Sequence, residues 1–189
     1  MKKYLIFAGV NGAGKSTLYG IDESPRLLKR VNTDEIVREF GSWKRMDDEI
    51  KAGRIAIERI RDCFCNGESL CQETTLCGNS ILRNIKKAKE LGYYIEVRYV
   101  GVESSEIAKH RIAHRVETGG HGIPDEDVER RYKESFEKLI QVIPFCDRVV
   151  LYDNSKYFYR FAIFENGKLI QVFQDRPEWF EKLGFITGE

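Results

Sequence analysis

Apolar and polar positions along the first 150 residues predict strands that alternate with helices. Residues 3–8 form a short, almost continuous apolar run, which predicts a buried strand. Residues 47–64 repeat apolar positions at helical spacing and predict a long amphipathic helix. The same patterns predict strands at 30–32, 69–72, 93–100 and 148–152, and helices at 81–91, 104–117 and 125–143. This alternation predicts an α/β fold in which a mostly parallel sheet carries helices on both faces.

The last 30 residues depart from the alternation and predict a β-hairpin. Asn166-Gly167 supplies the two residues with positive φ that a type I′ turn needs, within a hairpin over about residues 158–175. A short helix is predicted around Trp179. We expect one domain over residues 1–189, with the hairpin as an appendage to it.

Composition narrows the class of partner. The chain has 31 Lys and Arg against 30 Asp and Glu, so no global field draws it to nucleic acid or to an anionic membrane. The charge balance therefore disfavours nucleic acid as a partner. The apolar runs are far shorter than the ~20 residues of a membrane span, and the segment after Met1 is too short for a signal peptide. Five cysteines, an odd number, fit reduced thiols, and we expect a cytoplasmic protein.

The strongest chemical signal is a glycine-rich loop between the first strand and the first helix. Residues 9–16 read GVNGAGKS and match the phosphate-binding pattern G-x-x-x-x-G-K-[ST] at every position. Backbone N–H groups of such a loop surround phosphates, the lysine reaches the β- and γ-phosphates, and the serine hydroxyl is a ligand for Mg²⁺. We predict that ATP and Mg²⁺ bind here, with Ser16 as the metal ligand and nucleotide contacts from Gly9, Asn11, Gly12, Ala13, Gly14, Lys15, Ser16 and Thr17.

Two acidic residues follow the next predicted strands, where ligands of an open parallel sheet collect. Asp34 could accept the proton of a hydroxyl group that attacks the γ-phosphate. Spacing alone equally permits Asp34 to be the N-cap of a helix that begins at Glu35. Glu73 could bind substrate or order Mg²⁺ through water, or it could be an ordinary carboxylate at the end of a strand.

Arginines flank a glycine-rich segment and suggest a lid over about residues 111–131. Arg111 and Arg115 share one face of a helix, and Arg130 and Arg131 lie on the next helix. The segment TGGHGIP at 118–124 cannot be helical and would let the lid close, bringing arginines to the phosphates. The alternative is two solvated helix faces with pairs such as Glu126–Arg130.

An ordered set of motifs over about residues 3–155 resembles the zeta-toxin family, in particular its short bacterial members. The motifs are the glycine-rich loop, NTDEI at 32–36, ETTL at 73–76, GVES at 101–104, residues 111–115, GGHGIP at 119–124, RRY at 130–132 and DNS at 153–155. The resemblance implies a P-loop kinase domain with a three-layer α/β/α fold. It also implies a cytoplasmic enzyme that an antitoxin protein inhibits.

By that resemblance, the reaction transfers the γ-phosphate of ATP to a hydroxyl of a sugar or nucleotide sugar such as UDP-N-acetylglucosamine. Asp34 would be the general base, and Glu73 and Thr75 would line the substrate pocket. Arg115 and one of Arg130 and Arg131 would stabilise the transferred phosphoryl group. A polynucleotide kinase, another metabolite kinase and a non-catalytic ATP-binding regulator remain as alternatives.

Overall fold

The computed structural model describes residues 1–43, 45–173 and 175–184. Within them the strands are Lys3–Ala8 (β1), Lys29–Val31 (β2), Leu70–Thr74 (β3), Tyr94–Gly101 (β4), Arg148–Asp153 (β5), Tyr159–Glu165 (β6) and Lys168–Val172 (β7). The helices are Lys15–Ile21 (α1), Thr33–Phe40 (α2), Met46–Asn66 (α3), Ser80–Glu90 (α4), Ser105–Glu117 (α5), Asp125–Val142 (α6) and Glu178–Glu181 (α7). A 3₁₀ turn at Ile143–Phe145 follows α6.

All seven of these strands form one sheet in the order β2-β3-β1-β4-β5-β6-β7. The first five are parallel, and β6 and β7 are antiparallel to their neighbours. The predicted mostly parallel sheet is therefore confirmed. Strand β1 lies between β3 and β4, so the order of the chain reverses at β1, which is the position where open α/β sheets bind ligands.

Helices pack on both faces of the sheet and give three layers. On one face, alternate residues of β1 such as Tyr4 and Ile6 pack against α2, α3, α4 and the end of α6. On the other face, Leu5 and Phe7 pack against α1, α5 and the start of α6. The run at 3–8 is apolar on both faces because helices cover both sides of β1.

The C-terminal hairpin forms as predicted, but its description as an appendage is wrong. Asn166 and Gly167 have φ of 49° and 77°, as a type I′ turn requires. However, β6 pairs with β5 over Arg148–Asp153 and extends the central sheet. None of the helices in the described residues has both the length and the apolar character of a membrane span.

Candidate active site

The carboxyl ends of the parallel strands bring the predicted site residues together. The glycine-rich loop follows β1, Asp34 follows β2, Glu73 is the next-to-last residue of β3, and Asn154 follows β5. These residues are up to about 140 positions apart in sequence, as in the bond from the Asn154 amide to the carbonyl of Ala13 (2.8 Å). The sheet topology therefore places them at one edge.

The loop has the backbone conformation that glycine permits. Gly12 and Gly14 have φ of 80° and 108°. A Cβ on Gly12 would lie 2.6 Å from the carbonyl oxygen of Ala108 on α5, so the loop and α5 can approach only at a glycine. The loop is thus held against the backbone of a neighbouring helix.

Lys15 is buried at the start of α1, although it is charged. Its amine donates to the carbonyl oxygens of Gly9 (2.8 Å) and Val10 (3.1 Å) within the loop. Burial lowers the pKa of Lys15, and the carboxylates of Glu73 and Asp34 oppose that shift. A buried ammonium gains from additional negative charge, so this position favours an anion such as phosphate.

Glu73 is the centre of a network that joins three strand ends. Its Oε1 accepts from the hydroxyl of Ser16 (3.0 Å), and its Oε2 accepts from the amide of Asn32 (2.8 Å) and from the guanidinium of Arg30 (3.1 Å). We call Ser16, Arg30, Asn32 and Glu73 the strand-end cluster. Only 10% of the Glu73 side chain is exposed. Three side-chain donors therefore hold the Glu73 carboxylate in place at the end of β3.

Arg30 contributes more to this cluster than its position in the sequence predicts. Its guanidinium lies 3.5 Å from the ring centroid of Tyr19 and also pairs with Glu35 (2.9 Å). A cation held over an aromatic ring and between two carboxylates is fixed in position. Arg30 therefore orients the Glu73 carboxylate toward Ser16.

Asp34 is not the N-cap of its helix, which corrects one of the two interpretations of this residue. The helix α2 begins at Thr33, and the side chain of Asn32 caps it by accepting from the backbone N–H of Asp34 (2.8 Å). Among the described residues, no hydrogen bond or ion pair holds the Asp34 carboxylate. Its negative charge opposes the lowering of the pKa values of Lys15 and His121 that burial causes.

The four arginines of the predicted lid make different contacts. Arg111 donates to the carbonyl oxygens of Gly12 and Ser155 (3.4 Å each), and Arg131 donates to the side chain of Asn11 (3.1 Å). Both arginines therefore contact the glycine-rich loop, and Arg111 also contacts the segment that follows β5. Arg115 donates twice to the carbonyl of His121, at 2.9 and 2.6 Å.

Arg130 makes its ion pairs within its own helix. Its guanidinium pairs with Asp127 (2.6 Å) and Glu134 (3.1 Å) on its own helix, and 53% of its side chain is exposed. Its partners are therefore not Glu126, the partner that spacing suggested. Of the two adjacent arginines, only Arg131 contacts the loop in the described structure.

The segment 118–124 contacts the connection between α2 and α3. The ring of His121 lies 4.7 Å from that of Trp43, and its Nε2 is 3.7 Å from a carboxylate oxygen of Glu49. Burial lowers the pKa of His121, so the neutral imidazole is favoured. Together with the hydrogen bonds from Arg115, these contacts hold the segment against Trp43 and Glu49.

The remaining predicted residues have smaller parts in the geometry. Thr17 is exposed in the first turn of α1, and Ala13 is buried in the loop. Thr75 follows β3, and its carbonyl accepts from the thiol of Cys77 (3.6 Å). Within the described residues, the Thr75 side chain makes no hydrogen bond to the cluster.

The residues fit the triphosphate and the metal that the sequence predicts. The glycine-rich loop, the buried Lys15 amine and the guanidinium of Arg131 present donors and positive charge from several directions. Ser16 and Glu73 place a hydroxyl and a carboxylate 3.0 Å apart, and both are oxygen ligands that Mg²⁺ prefers. Sequence reasoning missed Arg30, Asn32 as the cap and Trp43.

Fold and loop together define a P-loop NTPase-like α/β protein. No protein-family model matches the chain. It is 35% identical over 130 residues to an uncharacterized protein of Haemophilus influenzae, an alignment that covers 69% of this chain and 92% of that protein. The chain therefore belongs to the same family as that protein.

Two solved structures share the fold. A chain in the crystal structure of AvrRxo1-ORF1:-ORF2 with ATP matches with a TM-score of 0.73 at 16% identity. That match covers all of this chain, which spans 66% of the other. A chain from the PezAT chromosomal toxin–antitoxin system of Streptococcus pneumoniae matches with a TM-score of 0.61 at 14% identity. It covers 85% of this chain and 72% of the other.

Proposed function

We propose that this chain is an ATP-dependent kinase that transfers the γ-phosphate to a hydroxyl group of a small molecule. The observation that carries the proposal is the Asp34 carboxylate. Asp34 follows β2 at the edge of the sheet where the glycine-rich loop follows β1, and Asn32 performs the capping that Asp34 would otherwise explain. A carboxylate that the helix does not need is available as a general base.

In the proposed reaction, the donors of the loop bind the phosphates of ATP. Lys15 would contact the β- and γ-phosphates, and Ser16 would hold Mg²⁺, with Glu73 held beside it by Arg30 and Asn32. The metal would supply positive charge that offsets the negative charge of the phosphates. These groups fix the phosphate that is transferred.

The acceptor hydroxyl is activated by Asp34. Asp34 takes its proton as the oxygen bonds to the γ-phosphorus, and the bond from that phosphorus to the β–γ bridging oxygen breaks, releasing ADP. Arg131, and Arg115 after movement of the segment 118–124, stabilise the negative charge on the transferred group.

The first candidate acceptor is UDP-N-acetylglucosamine, because the motif set resembles zeta toxins. Purified protein, ATP and Mg²⁺ are incubated with this compound, with a metabolite extract and with a 5′-hydroxyl oligonucleotide, and products are identified by mass spectrometry. We expect one phosphorylated small molecule, which Asp34→Asn forms more slowly by about 10²- to 10⁴-fold. If ATP is bound but no acceptor gains phosphate, the non-catalytic regulator is the better description. Phosphorylation of the oligonucleotide alone would replace the small-molecule proposal.

A protein partner that inhibits the site is part of the proposal. The AvrRxo1 structure is a complex of ORF1 and ORF2, and PezAT is a toxin–antitoxin system. Expression of this chain in bacteria, with and without its neighbouring genes, tests the idea. We expect growth inhibition that depends on Lys15 and that a neighbouring gene relieves.

A further inference from the structure

The two faces of the sheet differ at the start of β4 and β5. On the face covered by α2, α3 and α4, the residues of β4 are Ile95, Val97 and Tyr99, all buried among apolar side chains. On the opposite face the apolar cluster includes Val100 of β4, and the earlier positions of that face are Tyr94, Glu96 and Arg98. This part of the sheet is therefore built from polar side chains, although its neighbours on β1 are Leu5 and Phe7.

A cavity of about 320 Å³ lies over this part of the sheet. Val150 and Glu96 belong to its lining and are themselves buried, with 4% and 6% of their surface exposed. Longer side chains complete the lining and define what we call the basic pocket: Lys3, Tyr94, Arg98, Arg148, Tyr152 and Arg160. The pocket is thus a concave site whose lining carries four cations and one carboxylate.

The carboxylates inside and beside the pocket accept from only some of the N–H donors in its lining. Glu96 pairs with Lys3 and with Arg98 (2.8 Å each), and Arg98 also contacts Asp22. Arg148 makes one longer contact with Glu165 (3.4 Å). A guanidinium carries five N–H donors, so Arg148 retains several.

Arg160 is the least compensated cation of the pocket. Its guanidinium lies over the ring of Phe173 at 5.8 Å, and no ion pair to it occurs among the described residues. Burial lowers the pKa of Arg98, so the pocket also penalises its positive charge. A negatively charged ligand would pair with Arg160 and would favour the charged form of Arg98.

We propose that the basic pocket is a second ligand site, which binds a phosphate group carried by a small molecule. Arginine presents a planar fork that matches phosphate oxygens, and three arginines from three adjacent strands surround Val150. The volume suits a small ligand and not a folded partner. The site is distinct from the glycine-rich loop, because Lys3 begins β1 whereas the loop follows the end of that strand. This proposal does not depend on the proposed kinase reaction.

The test separates the basic pocket from the glycine-rich loop. Binding of inorganic pyrophosphate is measured by calorimetry in Lys15→Ala, where loop binding is lost, and in Lys15→Ala combined with Arg148→Gln and Arg160→Gln. We expect Lys15→Ala to retain one site and the combined variant to bind at least tenfold more weakly. Arg61→Gln, on the exposed face of α3, is the matched control and should leave binding unchanged in the Lys15→Ala background. Thermal melting verifies the folding of each protein. If the combined variant fails to fold, Arg160→Gln alone replaces it, since Arg160 is exposed, and should weaken binding at least threefold.

The same titrations identify the source of the phosphate group. AMP and ribose 5-phosphate distinguish a nucleotide from a sugar phosphate, and either result supports the proposal when it depends on Arg148 and Arg160. A ten-nucleotide single strand that binds at least tenfold more tightly than AMP would assign this face to nucleic acid and overturn it. So would a Lys15→Ala protein that binds no pyrophosphate, or a combined variant that binds as well as Lys15→Ala. The arginines would then be solvent-exposed side chains on an open face of the sheet, with no ligand to bind.

Discussion

The strand-end cluster and the α5–α6 region contribute to one candidate site in different ways. In the cluster, a carboxylate with 10% of its side chain exposed joins residues from β2, β3 and the start of α1. In the α5–α6 region, Arg111 and Arg131 reach the glycine-rich loop and Arg115 reaches His121. Arg131 also lies 4.0 Å from Asp127, and Arg130, with 53% of its side chain exposed, pairs within its own helix. The first region is one network around a single carboxylate, whereas the contacts of the second are divided between the loop, the segment 118–124 and α6 itself.

This difference teaches which part of the site is preorganised. The strand ends are fixed by the sheet, so the groups that would hold phosphate and metal are positioned before any ligand binds. The contacts from α5 and α6 come from a hairpin with a glycine-rich connection, and they can form or break without disturbing the sheet. Substitutions in the first region should therefore slow phosphoryl transfer strongly. In the second region, the effect on the rate should depend on which residue is changed.

The largest expected effect is that of Lys15→Ala. It removes the buried ammonium that would contact the β- and γ-phosphates, and phosphoryl transfer should fall by about 10³-fold or more. The fold should persist, because a buried charge is removed and the apolar core is unchanged. ATP turnover and thermal melting measure the two quantities, with the exposed Lys87→Ala as control. Unchanged turnover in a folded Lys15→Ala protein would exclude the kinase proposal.

The next prediction compares two neighbours in sequence, Arg131 and Arg130. Arg131→Gln removes the guanidinium that contacts Asn11 and should lower kcat/KM by about 10- to 100-fold. Arg130→Gln breaks only exposed pairs and should change kcat/KM by less than about twofold. Steady-state kinetics of the two variants provide the measurement, each serving as the other's control. Equal effects would mean that both arginines reach the phosphates after closure.

The smallest effect concerns the pH dependence of stability and involves His121. Its pKa in the folded protein is below the ordinary value of 6.5, so the unfolded chain binds more protons just below that pH. Stability should therefore fall on acidification from about pH 7 to about pH 5, and His121→Gln should reduce that loss by at most about 1 kcal/mol. Denaturant unfolding at several pH values measures it. His110→Gln, exposed on α5, should not alter the slope, and an unaltered slope in His121→Gln would contradict the prediction.

Much of the fold follows from local patterns. The apolar run at 3–8 gave β1 with the observed bounds, and Asn166-Gly167 gave the hairpin turn. Both features depend on neighbouring residues alone. The pairing of β6 with β5 was not predictable in the same way, because it is a contact between strands and leaves no local signal.

The sequence selected only part of the candidate site, since it did not select Arg30 or Trp43, and it did not predict the contacts. Asp34 and Glu73 were selected because they follow strands, but their roles separated only in three dimensions. The cap function of Asn32 had a signal in the sequence, since Asn before a helix is a favoured N-cap. The choice of Arg131 over Arg130 had none, because adjacent residues on a helix point about 100° apart and spacing cannot say which faces the loop.

Asp34→Asn is the most direct test of the central claim that Asp34 is the general base. Asparagine keeps the backbone N–H that donates to the Asn32 side chain, and it removes the carboxylate that would accept the proton. Asp47→Asn is the matched control, because Asp47 is the second residue of α3 as Asp34 is of α2. With the identified acceptor, single-turnover transfer in Asp34→Asn should be slower by about 10²- to 10⁴-fold, with ATP affinity and melting temperature close to those of the parent. Asp47→Asn should transfer phosphate at the parental rate. Transfer by Asp34→Asn at close to the parental rate would contradict the account, because the Asp34 carboxylate would then have no part in the reaction.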